Sequence, residues 1–468
     1  MILSMTQSRS PNTLLWLVAV GFFMETLDST IVNTALPSMA KDLGESPLEM
    51  QTVVIGYALT LAIFIPASGW LTDRYGIRRV YLSAIAIFTS GSLLCALAPN
   101  LFTLTLARII QGAGGSMLLP VGRLAVLRSF PGEKYLPALS FVTMPALIGP
   151  LIGPTLGGWM VEALSWHWIF FVNIPIGLIG LYATYKTMPP DDFINPRKFD
   201  FVGFAQITLF MVSISYALDA LSENHISAGL SFFLFIFGLA SLVAYIFHAL
   251  KSPAPLFSLK LFNTRTYSIG ILGNLFARIG SSCMPFLIPL FLQLSLGYSP
   301  LDAGMAMLPL AAAAIIGKRF VSSLVKIFGY RKFLILNTLI VGCGIASFAL
   351  IDQNENQILR MLQFFAFGIF NSMQFTSMNT LTMKDLEKKL SSDGNTMFSM
   401  VQMVAMSFSV AAAASLLSTF FTMYERTKAF HLTFICMGAV TCTSAWIFSQ
   451  LGKNEKQEQP KAALASEN

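Results

Sequence analysis

The chain has 468 residues, 55% hydrophobic and 11% charged, with a mean hydropathy of +0.67; soluble domains carry about 25% charged residues. Its apolar runs reach the roughly 20 residues that a helix needs to cross a bilayer, and they are too long and too continuous for barrel strands. The fold class is therefore an all-α membrane protein, and the net charge of +7 does not imply nucleic acid, because Lys and Arg gather at particular span ends.

The apolar pattern predicts fourteen spans, at 14–36, 50–71, 80–98, 101–127, 136–161, 167–187, 200–219, 227–249, 266–293, 302–325, 332–351, 357–381, 394–419 and 429–450. Loops after even-numbered spans hold most cations, among them Arg74, Arg78 and Arg79, Arg128 and Lys134, Lys186, Arg197 and Lys198, and Lys384, Lys388 and Lys389. Both termini are thus predicted to be cytoplasmic. No cleavable signal is apparent, because the first apolar run leads into Asn33 and Pro37 without a small-residue cleavage pattern.

Span 1 carries Glu25 and Asp28, three residues apart and so on one helix face. An acid at bilayer depth costs about 3 kcal/mol or more and is rarely kept without use. Asp28 lies nine residues before Pro37, and Arg108 of span 4 lies nine residues after Pro99. At 1.5 Å per residue, both sit about 13 Å inside the outer face. Asp28 and Arg108 are predicted to pair, either as a static structural bridge or as a proton-coupling pair that trades partners. Glu25, one turn deeper, is a candidate to share the proton.

The loop after span 2 holds Asp73, Arg74, Gly76, Arg78 and Arg79. Its pattern of aromatic, Gly, any residue, base, base (Tyr75 to Arg79) recurs at Phe328 to Lys332. The recurrence predicts two six-helix halves, 1–190 and 256–451, joined by two extra helices in 191–255 and followed by a disordered cytoplasmic tail at 452–468. Parallel repeats of this kind place the substrate site between the halves near the midplane. Asp73 is a candidate latch that accepts from a helix N-terminus or an Arg; Lys326 stands at the corresponding place in the second copy.

Span 5 spaces Gly149, Gly153 and Gly157 four apart, with Gly158, Pro150 and Pro154 among them. Such spacing allows close helix contact, and each proline removes a backbone donor. Arg278 of span 9 lies close to mid-bilayer, a candidate counter-charge to Glu25, to Asp28 or to a substrate anion; Lys318 and Arg319 can snorkel to the inner face. Asn33, Gln111, Asn371 and Gln374 are candidate cavity residues, and Met397, Met400, Met403 and Met406 form a stripe in span 13. The five cysteines match neither a metal site nor a disulfide framework. No catalytic cluster is apparent, so the chain is expected to be no enzyme and to need no metal or cofactor beyond a proton gradient.

These motifs carry a resemblance to a known family. Gly69 to Arg79 resembles the loop 2–3 signature of the major facilitator superfamily, and Leu104, Arg108, Gln111, Gly112, Gly114 and Gly115 resemble its fourth-span signature. Gly149 to Gly158 is similar to the antiporter signature of span 5. Leu27 to Pro37 and Trp168 to Gly177 resemble signatures of the 14-spanner drug:proton antiporter branch. Ser165 to Trp168 and Ser377 to Leu386 point to a multidrug-resistance subgroup, many of whose members have Arg where this chain has His167. The resemblance implies a monomeric, proton-coupled antiporter in the inner membrane of a bacterium, contacting lipid and exporting small molecules by alternating access, with multidrug efflux the first expectation. It assigns gating to the Asp73 loop and coupling to Asp28. The alternative is export of an organic anion or metal-carboxylate complex with Arg278 as counter-charge.

Overall fold

The structure, a computed structural model, describes residues 11–130, 134–188, 198–220, 228–352, 357–387 and 390–452. The tail beyond 452, Arg197, Lys388 and Lys389 lie outside the described residues. Every regular element among the described residues is a helix. They run α1 (Pro11–Leu43), α2 (Gln51–Phe64), α3 (Ser68–Tyr75), α4 (Ile77–Ala96), α5 (Leu101–Ser129), α6 (Tyr135–Ala163), α7 (Trp168–Phe171) and α8 (Asn173–Thr187). There follow α9 (Phe201–Ala220), α10 (Ala228–Lys251), α11 (Arg265–Ser281), α12 (Met284–Leu294), α13 (Pro300–Ala306), α14 (Leu308–Ser347), α15 (Gln357–Lys384), α16 (Ser391–Phe421) and α17 (Arg426–Ser449).

Among the described residues, twelve segments are long and apolar enough to cross a membrane, not the fourteen expected. Two local causes account for the difference. Pro300–Leu350 runs for 51 residues without an intervening loop, more than twice what one crossing of the hydrocarbon needs. It turns at Gly329, which has φ 72° and ψ 157° inside α14. The other cause is α15, which is 28 residues long but rich in Gln, Asn, Ser and Thr.

The backbone carries the internal repeat more fully than the basic loops alone. Gly76 ends α3 with φ 87° and ψ 154°, the same left-handed turn as Gly329. A second repeat lies in the other set of loops: Leu43 to Leu48 and Leu296 to Leu301 both read Leu, Gly, any residue, Ser, Pro, Leu. Gly44 and Gly297 have φ 73° and 72°, a region that L side chains avoid and Gly enters freely. Both glycine pairs, 44 with 297 and 76 with 329, are 253 residues apart.

Packing divides the chain into two compact units. The first comprises Met1–Ser258, Ser282–Leu308 and Thr396–Phe430; the second comprises Leu259–Ser281, Pro309–Asn395 and His431–Asn468. The core of the first contains Phe22, Tyr81, Phe88, Leu118 and Val121. That of the second contains Leu334, Met378, Leu381 and Phe448. In the first unit α9 and α10 pack as a pair fastened at one end by Asp200, whose carboxylate accepts from Gly203 N at 2.9 Å, His248 Nε2 at 2.7 Å and Leu256 N at 2.9 Å. Ser215 and Ser407 hydroxyls meet at 3.1 Å and tie α9 to α16.

Candidate proton-coupling site

Helices α1, α2, α4, α5 and α8 converge on one buried carboxylate. Asp28 is fully buried and Arg108 is 1% exposed. Arg108 Nη1 donates to Asp28 Oδ2 at 2.6 Å. The other carboxylate oxygen, Oδ1, accepts from Gln111 Nε2 and Asn173 Nδ2, each at 2.8 Å. Ser92 Oγ accepts from the same two amides at 2.7 and 3.3 Å. Three donors on one carboxylate, one of them cationic, compensate a charge that would otherwise be expensive at this depth.

The guanidinium is fixed from every side. Its Nη1 also donates to Gln111 Oε1 at 2.6 Å, and its Nε donates to Val53 O at 3.4 Å. Its Cζ lies 4.0 Å from the centroid of Tyr57 and 5.8 Å from that of Phe170, within cation–π range. Gln111 reaches Ser92 and Asp28 because α4 and α5 touch closely: a Cβ on Gly91 would fall 2.5 Å from the Gln111 backbone nitrogen.

Glu25 has a different setting. It is 6% exposed, and its carboxylate accepts no hydrogen bond among the described residues. The charged groups near it are Asp28 and Arg123, the latter on α5. The two acids that the spacing put on one face are therefore unlike: Asp28 is enclosed and held by three donors, whereas Glu25 is nearly enclosed and has no hydrogen-bond partner among the described residues, with Arg123 near it.

The glycines of α6 press on the α1 segment that carries these acids. A Cβ at Gly149 would lie 2.5 Å from Thr26 Oγ1 and 2.8 Å from Leu27 N, between Glu25 and Asp28. Added at Gly153 it would meet Thr30 Oγ1, and at Gly157 it would lie 2.5 Å from Ile31 O. Thr34 Oγ1 donates to Pro154 O at 3.0 Å. Gly158 instead abuts Pro300 of α13, whose Gly304 in turn abuts Pro154, and Thr155 Oγ1 donates to Gly304 O at 3.1 Å. Pro150 is exposed and faces away. Gly153→Ala is expected to lower the thermal unfolding midpoint, since overpacking costs about 1–3 kcal/mol. Adding Thr30→Ala, which removes the obstructing hydroxyl, should restore most of that loss in a melting series.

In the loop after α3, Asp73 Oδ1 lies 3.6 Å from Arg128 Nη2, with the two side chains 44% and 34% exposed. An ion pair that open holds about 0–1 kcal/mol, little enough to break in a working cycle. Arg74 stacks on Trp70 and Tyr75, with Cζ at 5.6 and 5.8 Å from the ring centroids. Arg78 donates to Tyr185 O and lies 4.9 Å from its ring centroid. Gly76 supplies the turn, and Arg79 is exposed.

The structure distributes the other expected cavity residues. Gln111 belongs to the Asp28 cluster. Asn33 is 2% exposed and its Oδ1 lacks a partner. In the second unit Gln374 is engaged, accepting from Asn337 Nδ2 at 2.8 Å and donating to Thr338 Oγ1 at 2.6 Å, whereas Asn371 Oδ1 lacks a partner. Arg278 donates through Nε to Asn274 Oδ1 at 2.8 Å, and its Cζ lies 4.1 Å from the Phe375 centroid. Sequence reasoning did not single out Ser92, Tyr57 or Asn173 as site residues. Asn173 alone offered a signal, as a lone amide in an apolar run of span 6.

Comparison with known proteins fits this architecture. The family model described as Major Facilitator Superfamily matches residues 18–410. The chain is 45% identical over 453 residues to "Putative multidrug resistance protein MdtD" of Salmonella paratyphi A and of Salmonella typhimurium, covering 95% of each chain. Among solved structures it is similar to a D-xylose-proton symporter, with TM-score 0.68, 14% identity and coverage of 94% of this chain and 97% of that one. The nucleoside transporter NupG gives a TM-score of 0.65 at 13% identity, over 93% and 98% of the two chains. The chain is a multi-pass membrane transporter of the major facilitator superfamily.

Proposed function

We propose that the protein is a proton-coupled antiporter that exports small molecules by alternating access, with multidrug efflux the primary reading. In this reading it has fourteen spans, lies in a bacterial inner membrane as a monomer with both termini cytoplasmic, and draws its energy from the proton gradient alone. The observation that carries it is the buried Asp28–Arg108 pair, seated where α6 leans on α1 through Gly149 and Gly153. The name of the Salmonella relatives supports the choice of substrate class.

The chemistry follows from the contacts. Protonating Asp28 removes the charge that Arg108, Gln111 and Asn173 converge on, and Arg108 is then held by Gln111, Val53 O and the Tyr57 and Phe170 rings. Glu25, without a hydrogen-bond partner and one turn away, is placed to pass the proton on. A change in how α1 is held bears directly on α6, because their backbones are in contact. The test is efflux of ethidium from proteoliposomes holding the full chain, with and without an imposed pH gradient. Transport that ignores the gradient would overturn the reading.

One observation favours the second reading, an organic anion as substrate. Arg278 has no carboxylate partner among the described residues, and both Nη groups are left open while Nε and the ring contact hold the plane. A guanidinium in that state is prepared to bind a carboxylate bidentately. Arg278 also stands 253 residues after Glu25, the spacing of the repeat. Arg278→Ala should abolish gradient-driven flux of mono-, di- or tricarboxylates if they are carried, and leave ethidium flux within about twofold of the parent chain. Carboxylate flux that survives the substitution would remove this reading.

A further inference from the structure

Near the start of α1, a groove of about 690 Å3 opens between α1, the last turn of α5 and the first turns of α6. Its apolar walls are Leu15, Trp16, Phe130, Pro137, Ala138 and Phe141. Trp16 is 57% exposed and Phe141 is 37% exposed, and their rings meet edge to face at 5.0 Å. Two polar residues, Asn12 and Lys134, complete the lining. The volume is that of a small-molecule site, in the range of about 300–1,000 Å3. None of these residues takes part in the Asp28 cluster, the Asp73 loop or the contacts of Gly149, Gly153 and Gly157 with α1.

Four features bear on its occupant. The groove sits where α1 begins and α5 ends, at the ends of two segments long and apolar enough to cross a membrane. Its lining passes from Asn12 to Leu15 and Trp16 within one turn, about 6 Å along the axis, the same change that a phospholipid makes from headgroup to acyl chain. Trp16 is a residue of the type enriched at the boundary between headgroups and acyl chains. Lys134 is exposed and makes no ion pair or hydrogen bond among the described residues, while the nearby Arg128 is engaged by Asp73. The neighbouring acid in sequence, Glu133, lies outside the described residues.

We propose that this groove is a binding site for an anionic phospholipid, with its phosphate at Lys134 and Asn12 and an acyl chain against Leu15, Trp16 and Phe141. The lipid closes an apolar concavity that would otherwise stand open at the membrane surface, and it braces the start of α1, the helix that carries Glu25 and Asp28.

The test uses the full chain purified in mild detergent and titrated with phosphatidylglycerol or phosphatidylcholine, with retained lipid counted by native mass spectrometry. The first phosphatidylglycerol should bind about fivefold more tightly than phosphatidylcholine. Lys134→Gln should erase that preference, Lys134→Arg should keep it, and Lys41→Gln, at the other end of α1, should leave it unchanged. Phosphatidylglycerol with brominated acyl chains should quench tryptophan fluorescence, and Trp16→Phe should remove most of the quenching. Equal binding of the two lipids, a preference that survives Lys134→Gln, an equal loss with Lys41→Gln, or quenching indifferent to Trp16→Phe would each overturn the proposal.

Discussion

Asp28→Asn is expected to give a protein that folds and inserts but performs no transport driven by a pH gradient. The amide has the shape of the acid, so Gln111 and Asn173 can still pack around it, and Arg108 keeps Gln111 Oε1, Val53 O and the Tyr57 ring. What disappears is the group proposed to take and return the proton. The variant stands permanently for the protonated chain, so energy-independent exchange of substrate should persist at a rate comparable to the parent. The loss of gradient-driven accumulation should exceed about a hundredfold, as for removal of a group that works only as a unit with its partner. A variant that accumulates or expels substrate normally would mean that Asp28 serves structure and not coupling.

The second large effect is on stability. Arg108→Ala removes the cation and leaves Asp28 fully buried beside two neutral amides. Breaking one side of a buried pair costs about 3–5 kcal/mol, because the remaining charge is uncompensated. The thermal midpoint in detergent should fall steeply, and transport should be lost. Combining Arg108→Ala with Asp28→Asn removes that charge, so the double variant should recover much of the lost stability while remaining inactive. This non-additivity is the signature of a direct pair; losses that simply add would mean that the two side chains contribute independently.

The pairing of Asp28 with Arg108 was legible in the sequence because depth is a one-dimensional quantity. Counting residues from Pro37 and from Pro99 is enough to match two antiparallel helices. The rest of the cluster was not legible in this way. Gln111 lies one turn from Arg108 on α5 and reads equally well as a cavity residue; only the close approach at Gly91 turns it toward Asp28. Ser92 and Tyr57 look like ordinary residues of apolar spans.

The four-residue spacing of Gly149, Gly153 and Gly157 announced a close helix contact but not its partner. That partner is α1, on the very turns between and beyond the two acids, while Gly158 points elsewhere. The second repeat, at Gly44 and Gly297, is present in the letters, but six residues of Leu, Gly, Ser and Pro carry little weight until both glycines are seen in the left-handed region. The number of spans blurred for physical reasons: two spans meet at the tight turn of Gly329 with no loop between them, and α15 is polar.

The central claim is that substrate movement and proton movement are one process passing through Asp28. Its most direct test is proton flux measured with an internal pH dye in proteoliposomes when ethidium is added, with no membrane potential applied. The parent chain should show an ethidium-dependent proton flux in the opposite direction to the dye, and Asp28→Asn should show none while still exchanging ethidium. Ethidium transport by the parent chain without any proton flux, or an undiminished flux in Asp28→Asn, would contradict the mechanism.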